Sequence, residues 1–492
     1  MGDIMRFMLR RKLFCRTLLP SLLAVIACSL SSCIINSQFG VDDAGEDVGN
    51  DDIDSIMAKY DDLFAENAYL GEACTIEMVH WDGDGQSIEM SVLNTMLKGF
   101  NKRYPTIKVN LTILSSYEDA YSMRLNGTDI ADVFLMPDGD VMSWTELGGG
   151  RCEDLGPYVE ASDLVNIDEM YQSAVNRYRY DFSKRTCGGT TGTLIALPKD
   201  IGPTVMYYNK SAFKKAGVPY PSNTEIMSID DAFEVWKKLK QVNDKGVVTM
   251  YGVGGLSVEG LVWSAGGDFL NEDRTAFPTD PDTLAGLKKG YEDMQKSYVS
   301  EEGYDVQPPA SWSTGSDASK LFSNQMVACY IGLKSKVAAF RKLDFDWDVC
   351  PVPANTASPR TNGWSGSVGY SLYNGSQHKQ AAWKLIEYIA SKEGQELLSA
   401  TGFQIPVYPS LAQQEDYIER ESNNKPSNFK CFLDAAEYQP IGLWSYHKDQ
   451  LWKTEAYDKD VEKVFAEDAG ERITVDQFLN TVRDHVNEKL KV

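Results

Sequence analysis

Four carboxylates and five tryptophans stand beside turns in this sequence, and together they could grip a small polar molecule that has an apolar face. The acids are Asp82 and Asp84 in Asp82-Gly83-Asp84-Gly85, Asp138 after an apolar run, and Asp200 just after Leu197-Pro198. The tryptophans are Trp81, Trp263 ahead of Gly266-Gly267, Trp312 in Ser311-Trp312-Ser313, Trp364 between Gly363 and Ser365, and Trp444 in Leu443-Trp444-Ser445. An aromatic plane stacks on CH groups, and carboxylates accept hydrogen bonds from hydroxyls or pair with ammonium groups. Each residue has a plainer use as well. The Asp-Gly pairs make a turn or a helix cap, and a tryptophan fills a core as readily as it lines a cleft. As a set, the five place at least two tryptophans in a cleft; Trp236 and Trp383, at helical spacing among apolar neighbours, read as core.

Other chemistries lack their residues. There is no Gly-x-Ser-x-Gly elbow, no phosphate-binding P-loop and no His-Glu-x-x-His helix. His80, His378, His447 and His485 are scattered, no Cys-x-x-Cys occurs, and the Asp82 turn lacks the ligand spacing and closing Glu of a calcium loop. No metal, no cofactor and no catalytic residue is expected. A glycoside hydrolase using two carboxylates is the competing class, since an acid-rich chain always offers pairs. Tyr207-Tyr208 falls in a predicted strand, with one ring expected in the sheet and the other in the cleft.

Lys and Arg number 48 and Asp and Glu 71, a formal charge of −23. That sign opposes nucleic acid and electrostatic adhesion to anionic lipid. It also disfavours anionic ligands, because no Arg cluster accompanies the cleft candidates. Polyamines stay open as ligands, because the four acids could pair with them.

These side chains need elements to position them. Thr75 to Trp81 reads as a strand ending at the Asp82 turn. Ile88, Val92, Leu93, Met96, Leu97 and Phe100 recur at helical spacing until Pro105. Ile107, Val109, Leu111 and Ile113 alternate as a half-buried strand, and Asp132 to Met136 is the continuous run of a parallel-sheet strand. Strand-helix-strand-helix-strand predicts an α/β fold with an open, mostly parallel sheet, whose ligands sit outside the carboxyl ends of the strands. A body of roughly 420 residues exceeds one core and predicts two lobes.

The N-terminus addresses the chain elsewhere. A basic stretch (Arg6, Arg10, Arg11, Lys12, Arg16) precedes an apolar run from Leu18 to Leu30, too short to span a membrane. Leu30-Ser31-Ser32-Cys33 resembles the lipobox of bacterial lipoproteins, which implies a signal peptide over 1–32, acylation of Cys33 with a fatty acid such as palmitate, and an extracytoplasmic, lipid-anchored location. Loss of that segment, net +4, leaves the chain near −27. Residues 33–73 carry eleven acids against Lys59 alone, the composition of a solvated tether. Outside the cell disulfides form. Cys329 and Cys350 lie in two apolar stretches, Met326–Ile331 and Trp347–Val352, spaced like a hairpin, and Cys152 and Cys187 flank one segment; these two pairs are expected, with Cys74 and Cys431 unpaired.

Two blocks carry a family resemblance over residues 75–490. One is Leu197-Pro198 with Val205-Met206-Tyr207-Tyr208-Asn209-Lys210-Ser211-Ala212-Phe213-Lys214-Lys215-Ala216-Gly217. The other runs from Leu321-Phe322 and Gln325-Met326-Val327-Ala328 through Asp348-Val349-Cys350-Pro351-Val352-Pro353, Asn362-Gly363-Trp364-Ser365-Gly366 and Ala381-Ala382-Trp383-Lys384 to Gln404-Ile405-Pro406-Val407. The series resembles the extracellular solute-binding proteins of ABC importers, in the maltose-binding-protein branch. Where relatives have Gly-Pro-Trp this chain has Ile331-Gly332-Leu333-Lys334, so that aromatic platform is absent. The resemblance implies a type II periplasmic-binding-protein fold. Lobe 1 would be 75–199 plus 328–373 and lobe 2 200–327 plus 374–492, hinged near Ala196–Asp200, Ala328–Ile331 and Tyr370–Tyr373. It further implies a monomer that captures a sugar or oligosaccharide and hands it to a membrane permease with its ATPase subunits.

Overall fold

The computed structural model describes residues 48–81, 88–114, 127–128, 130–299, 305–309, 318–355, 363–447, 450–466, 468 and 470–491. Asp82, Asp84, Trp312 and Cys33 lie outside the described residues.

The alternation expected from residue 75 onward is present. β1 (Cys74–Trp81) and β2 (Ile107–Leu114) pair in parallel with Met78 opposite Leu111, and β3 (Val133–Pro137) pairs in parallel on the other side of β1. The helix Ile88–Arg103 links the first two strands and buries Val92, Leu93, Met96, Leu97 and Phe100 in the same core as Ile76 and Met78. Pro105 lies two residues past its end, where a missing N–H and a fixed φ forbid continuation. All five residues of β3 are buried, so its run carries no alternation.

A small antiparallel sheet follows, made of β4 (Arg179–Asp181), β5 (Thr186–Cys187) and β6 (Thr193–Leu194), before β7 (Leu197–Pro198) rejoins the main sheet. The chain then crosses into a second sheet built from β8 (Thr204–Asn209), β9 (Gln241–Val242), β10 (Val248–Gly254), β11 (Val327–Leu333) and β12 (Trp347–Cys350), in the order β12-β8-β11-β10-β9. β13 (Val368–Leu372) returns to the first sheet, antiparallel to both β3 and β7, giving β2-β1-β3-β13-β7.

This pairing redraws the expected division. Residues 328–350 belong with the second sheet, because β11 and β12 are both antiparallel to β8, one on each side. β11 is bonded on both edges, to β8 and β10, so Ala328–Ile331 has no freedom to act as a hinge. Tyr370 and Leu372 sit inside β13, which excludes the third expected hinge for the same reason. The helix Lys379–Ala390 packs on β1 and β13, and Lys392–Ala400 packs on Ile88–Arg103, so this part of 374–492 belongs to the first lobe. The last helix, Val475–Lys489, packs on Pro281–Tyr298 in a core of the second lobe.

The same register corrects the cysteine pairing. Cys329 faces Tyr208 on one side of β8 and Cys350 faces Met206 on the other. Strands on opposite sides of a third are roughly 10 Å apart, beyond the reach of a disulfide. Cys152 bridges to Tyr373 while Cys187 pairs with Tyr180 in the small sheet. All six described cysteines are free thiols, so the two expected disulfides are absent. A thiol titration of residues 34–492 in denaturant is expected to give the same count before and after reduction; a rise after reduction would restore a bridge.

The two tyrosines also depart from expectation. Side chains alternate faces along a strand, so Tyr207 enters one core beside Phe340 and Trp347, while Tyr208 enters another beside Phe213. Both are at most 2% exposed and neither lines a cleft.

Residues 48–66 of the acidic arm are folded against the first lobe. Asn50–Ala58 and Asp61–Glu66 are helical and bury Ile53, Met57 and Phe64 against the first lobe. Its acids find distant cations: Asp61 bonds Arg103, and Asp54 bonds Lys102. The solvated-tether reading therefore fails for 48–66, because local charge does not reveal partners supplied by another helix.

Candidate functional site

Each sheet presents its carboxyl edge to the segments that cross between the lobes. On the first sheet that edge carries Trp81, Pro137-Asp138 and Pro198-Lys199-Asp200, with β13 entering at Val368. On the second it carries the ends of β10 and β11 and the Pro351-Val352-Pro353 exit from β12. Two crossings lie together, with Ile405 beside them. Gly202 and Gly366 exchange backbone hydrogen bonds of 2.8 and 2.9 Å, and the Ile201 N–H donates to the Ile405 carbonyl at 3.3 Å. The outgoing crossing is thus residues 199–203 and the returning one is 363–367.

At the second sheet's edge these elements enclose a cavity of about 260 Å3. Its wall includes Gly255, Tyr330, Leu333, Lys336, Pro353 and Trp364. Gly255 has φ +82°, and a Cβ there would meet the Ile331 carbonyl at 2.4 Å, so only glycine lets β10 turn this close to β11. Thr204 also lines the cavity and donates its hydroxyl to the Trp364 carbonyl at 2.6 Å, holding the crossing against the start of β8. Ser257 caps the next helix by accepting from the Gly260 N–H. An indole, a phenol ring, aliphatic walls and a few hydroxyls form the surface that an apolar CH face with a hydroxyl rim would fit.

The expected acids take a different part. Asp138 Oδ2 accepts from Arg177 at 2.5 Å and from the Ser367 N–H at 2.8 Å. Burial pushes its carboxyl up from the ordinary range while Arg177 pulls it down. Asp200 accepts from the Val368 N–H at 3.2 Å and lies 3.7 Å from the Lys199 ammonium. Both carboxylates are engaged in holding the crossing segments.

Among the tryptophans the structure separates roles. Trp364 is half-buried in the cavity wall. Trp81 and Trp444 are half-buried at the first sheet's edge, where the turn holding Trp444 packs on the turn at Asp138. Trp263 is 6% exposed in the core of the second lobe, edge-on to Phe269, with its indole N–H donating to the Tyr446 hydroxyl at 3.2 Å. Thr204, Tyr330, Leu333, Lys336 and Arg177 were not singled out from the sequence. The Gly254-Gly255 pair at a strand end was a readable signal for the cavity; a buried arginine leaves none. Among the described residues no cluster of His, Cys, Asp and Glu could hold a metal ion, and no helix is long and apolar enough to cross a membrane.

The profile of a family described as bacterial extracellular solute-binding protein matches residues 84–396. A binding protein of Brucella abortus (strain 2308) is 25% identical over 260 residues, 51% of this chain and 59% of its own length. The match thus spans less than two thirds of that relative. The arabinooligosaccharide-binding protein of Bacillus subtilis (strain 168) is 27% identical over 188 residues, 37% of this chain and 38% of that protein. The solved ABC substrate-binding protein of Listeria monocytogenes in complex with cycloalternan superposes with a TM-score of 0.66 at 21% identity, covering 85% of this chain and 98% of that one. These agree with the two sheets and their crossings in a two-lobed α/β fold.

Proposed function

The chain belongs to the bacterial extracellular solute-binding proteins, and from that premise we propose that it captures a sugar or short oligosaccharide between its lobes and delivers it to an ABC permease. The family places the protein outside the cytoplasm. The observation that carries the ligand class is the cavity beside the crossings, walled by Trp364 and Tyr330 with hydroxyls at its rim. Support also comes from relatives named for arabinooligosaccharide and solved with cycloalternan. A polyamine fits less well, because Asp138 and Asp200 are already bonded to cations and backbone amides. Hinge closure of the two lobes buries the ligand, with the antiparallel 202–366 and 201–405 bridges tying the crossing segments side by side.

A thermal-shift screen against arabino- and malto-oligosaccharides, polyamines, peptides and metal salts tests this. A ligand at a hundred times its dissociation constant is expected to stabilise by about 2.7 kcal/mol. A response to polyamines alone would remove the sugar reading. Product formation from a bound oligosaccharide would replace the receptor with a glycoside hydrolase.

The anchor belongs to the same reading: acylation at Cys33 keeps a monomeric receptor at the membrane beside its permease. The substitution C33A is expected to release the protein from the membrane fraction and abolish labelling by palmitate; retention of both would refute the lipobox.

A further inference from the structure

Arg177 follows the short helix Gln172–Asn176 and its side chain has no solvent exposure. Its Nε donates to the Ser173 carbonyl at 2.8 Å. One terminal nitrogen donates to Asp138 and, at 2.9 Å, to the Ser365 carbonyl; the other donates to the Ser365 hydroxyl at 2.8 Å. Around it the returning crossing is stitched to the first lobe. The Ser367 N–H reaches Asp138, the Asp138 N–H reaches the Ser367 carbonyl at 3.3 Å, and the Ser367 hydroxyl donates to the Asp200 carbonyl at 2.7 Å. One residue earlier the allegiance changes. The Trp364 carbonyl accepts from Thr204 at the start of β8, and its ring lines the cavity of the second sheet.

The holds of the two lobes meet at Trp364–Ser365: the Ser365 N–H donates to the Pro440 carbonyl at 3.1 Å, beside the Gln439 that bonds Thr204, while its carbonyl and hydroxyl are held by Arg177. Hinges are a few loop or element-terminal residues that absorb the change in φ and ψ, and this one lies where the holds of one body give way to those of the other. A buried charge is a costly way to gain stability, since an apolar side chain of similar volume commonly does as well. What a guanidinium offers here is its planar fork, which bonds a carboxylate and a backbone carbonyl in fixed directions at once.

We propose that Arg177 is the positioning residue of the hinge: it pins Ser365 to the first lobe, so that closure bends the chain at Trp364–Ser365 and carries the indole onto the ligand. The proposal rests on the reading of ligand capture by closure. Arg177 touches no ligand. Its effect passes through Trp364.

Two measurements on residues 34–492 test it. R177K keeps a cation beside Asp138 but loses the fork to Ser365. First, distances between labels on D168C in the first lobe and E225C in the second, measured without ligand, are expected to spread more widely in R177K than in the parent. An unchanged spread would overturn the proposal, whatever the ligand proves to be. Second, with arabinotriose as probe, R177K is expected to weaken binding about tenfold in the parent and to have almost no further effect in a W364A background. Additive losses would show that Arg177 acts elsewhere and would also overturn it. Where R177K lowers the melting temperature enough to blur the first measurement, S365A, which removes a single acceptor, is expected to broaden the distances to a smaller extent, and no broadening refutes the pin. Absence of arabinotriose binding by the parent would instead count against the sugar reading, leaving the ligand-free distances to decide the hinge.

Discussion

Arg103→Met is expected to cost about 3–5 kcal/mol of unfolding free energy at pH 8, among the largest losses of any single polar substitution in the chain. Arg103 ends the helix Ile88–Arg103 and joins three elements. Its Nε and one terminal nitrogen hold both oxygens of Glu393 at 2.6–3.1 Å, the same nitrogen reaches the Met57 carbonyl at 2.5 Å, and the other reaches Asp61 at 2.7 Å. The guanidinium also lies 4.6 Å above the Phe64 ring. Glu393 has no exposed side-chain surface, and its remaining partner is the Tyr388 hydroxyl at 2.8 Å. Removing the arginine strands that carboxylate and undocks the arm in one step.

The pH dependence follows from the same burial. Desolvation raises the Glu393 carboxyl above the ordinary range, and Arg103 works against the rise. A carboxyl raised on folding contributes stability that is complete below its unfolded value and is lost as pH rises through its folded value. Without Arg103 the folded value climbs further, so the deficit of the variant should be largest near pH 8 and shrink toward pH 5. Urea denaturation at both pH values checks this, and R103M/E393Q is expected to recover much of the loss at pH 8. A deficit equal at both pH values would mean that lost packing on Phe64, not a stranded charge, sets the cost.

That network shows what local sequence could and could not tell. The elements from β1 to β3 were legible because each rests on local signals: alternation in β2, a continuous apolar run in β3, helical spacing stopped by Pro105. The eleven acids of the arm pointed to solvent. The outcome was decided by Lys102 and Arg103, forty or more residues away, and composition does not report distant partners. The same distance hid the pairing of β11 and β12. Two apolar stretches separated by a short loop read as a hairpin, but β8, more than a hundred residues earlier, inserts between them. The carboxyl-edge position of Asp138 and Asp200 was readable from strand order, whereas their commitment to Arg177, Lys199 and backbone amides was not. Arginine is almost always exposed, so no pattern marks the one that is buried.

Trp364, next to Gly363, and Trp263, three residues ahead of Gly266, are alike in standing near glycine and are expected to behave oppositely when replaced by alanine. Trp263→Ala removes a ring that is 6% exposed and packed on Phe269, and it leaves the Tyr446 hydroxyl without its indole donor. Such a deletion costs about 3–5 kcal/mol of stability. Tyr446 keeps its bond to Asp268 at 2.8 Å, so the core should loosen without rearranging the cavity wall, and the folded fraction should bind with unchanged affinity. Trp364→Ala removes a half-buried ring whose carbonyl, not its indole, makes the structural bond to Thr204. The backbone carbonyl survives the substitution, so the melting temperature should move little. The lost stacking plane should weaken binding by about 2 kcal/mol, roughly thirtyfold. Calorimetric titration with the best oligosaccharide from the screen, alongside melting curves for both variants, separates the two. A W364A protein that binds like the parent would remove the cavity from the ligand path, since no other described aromatic residue reaches its wall except Tyr330.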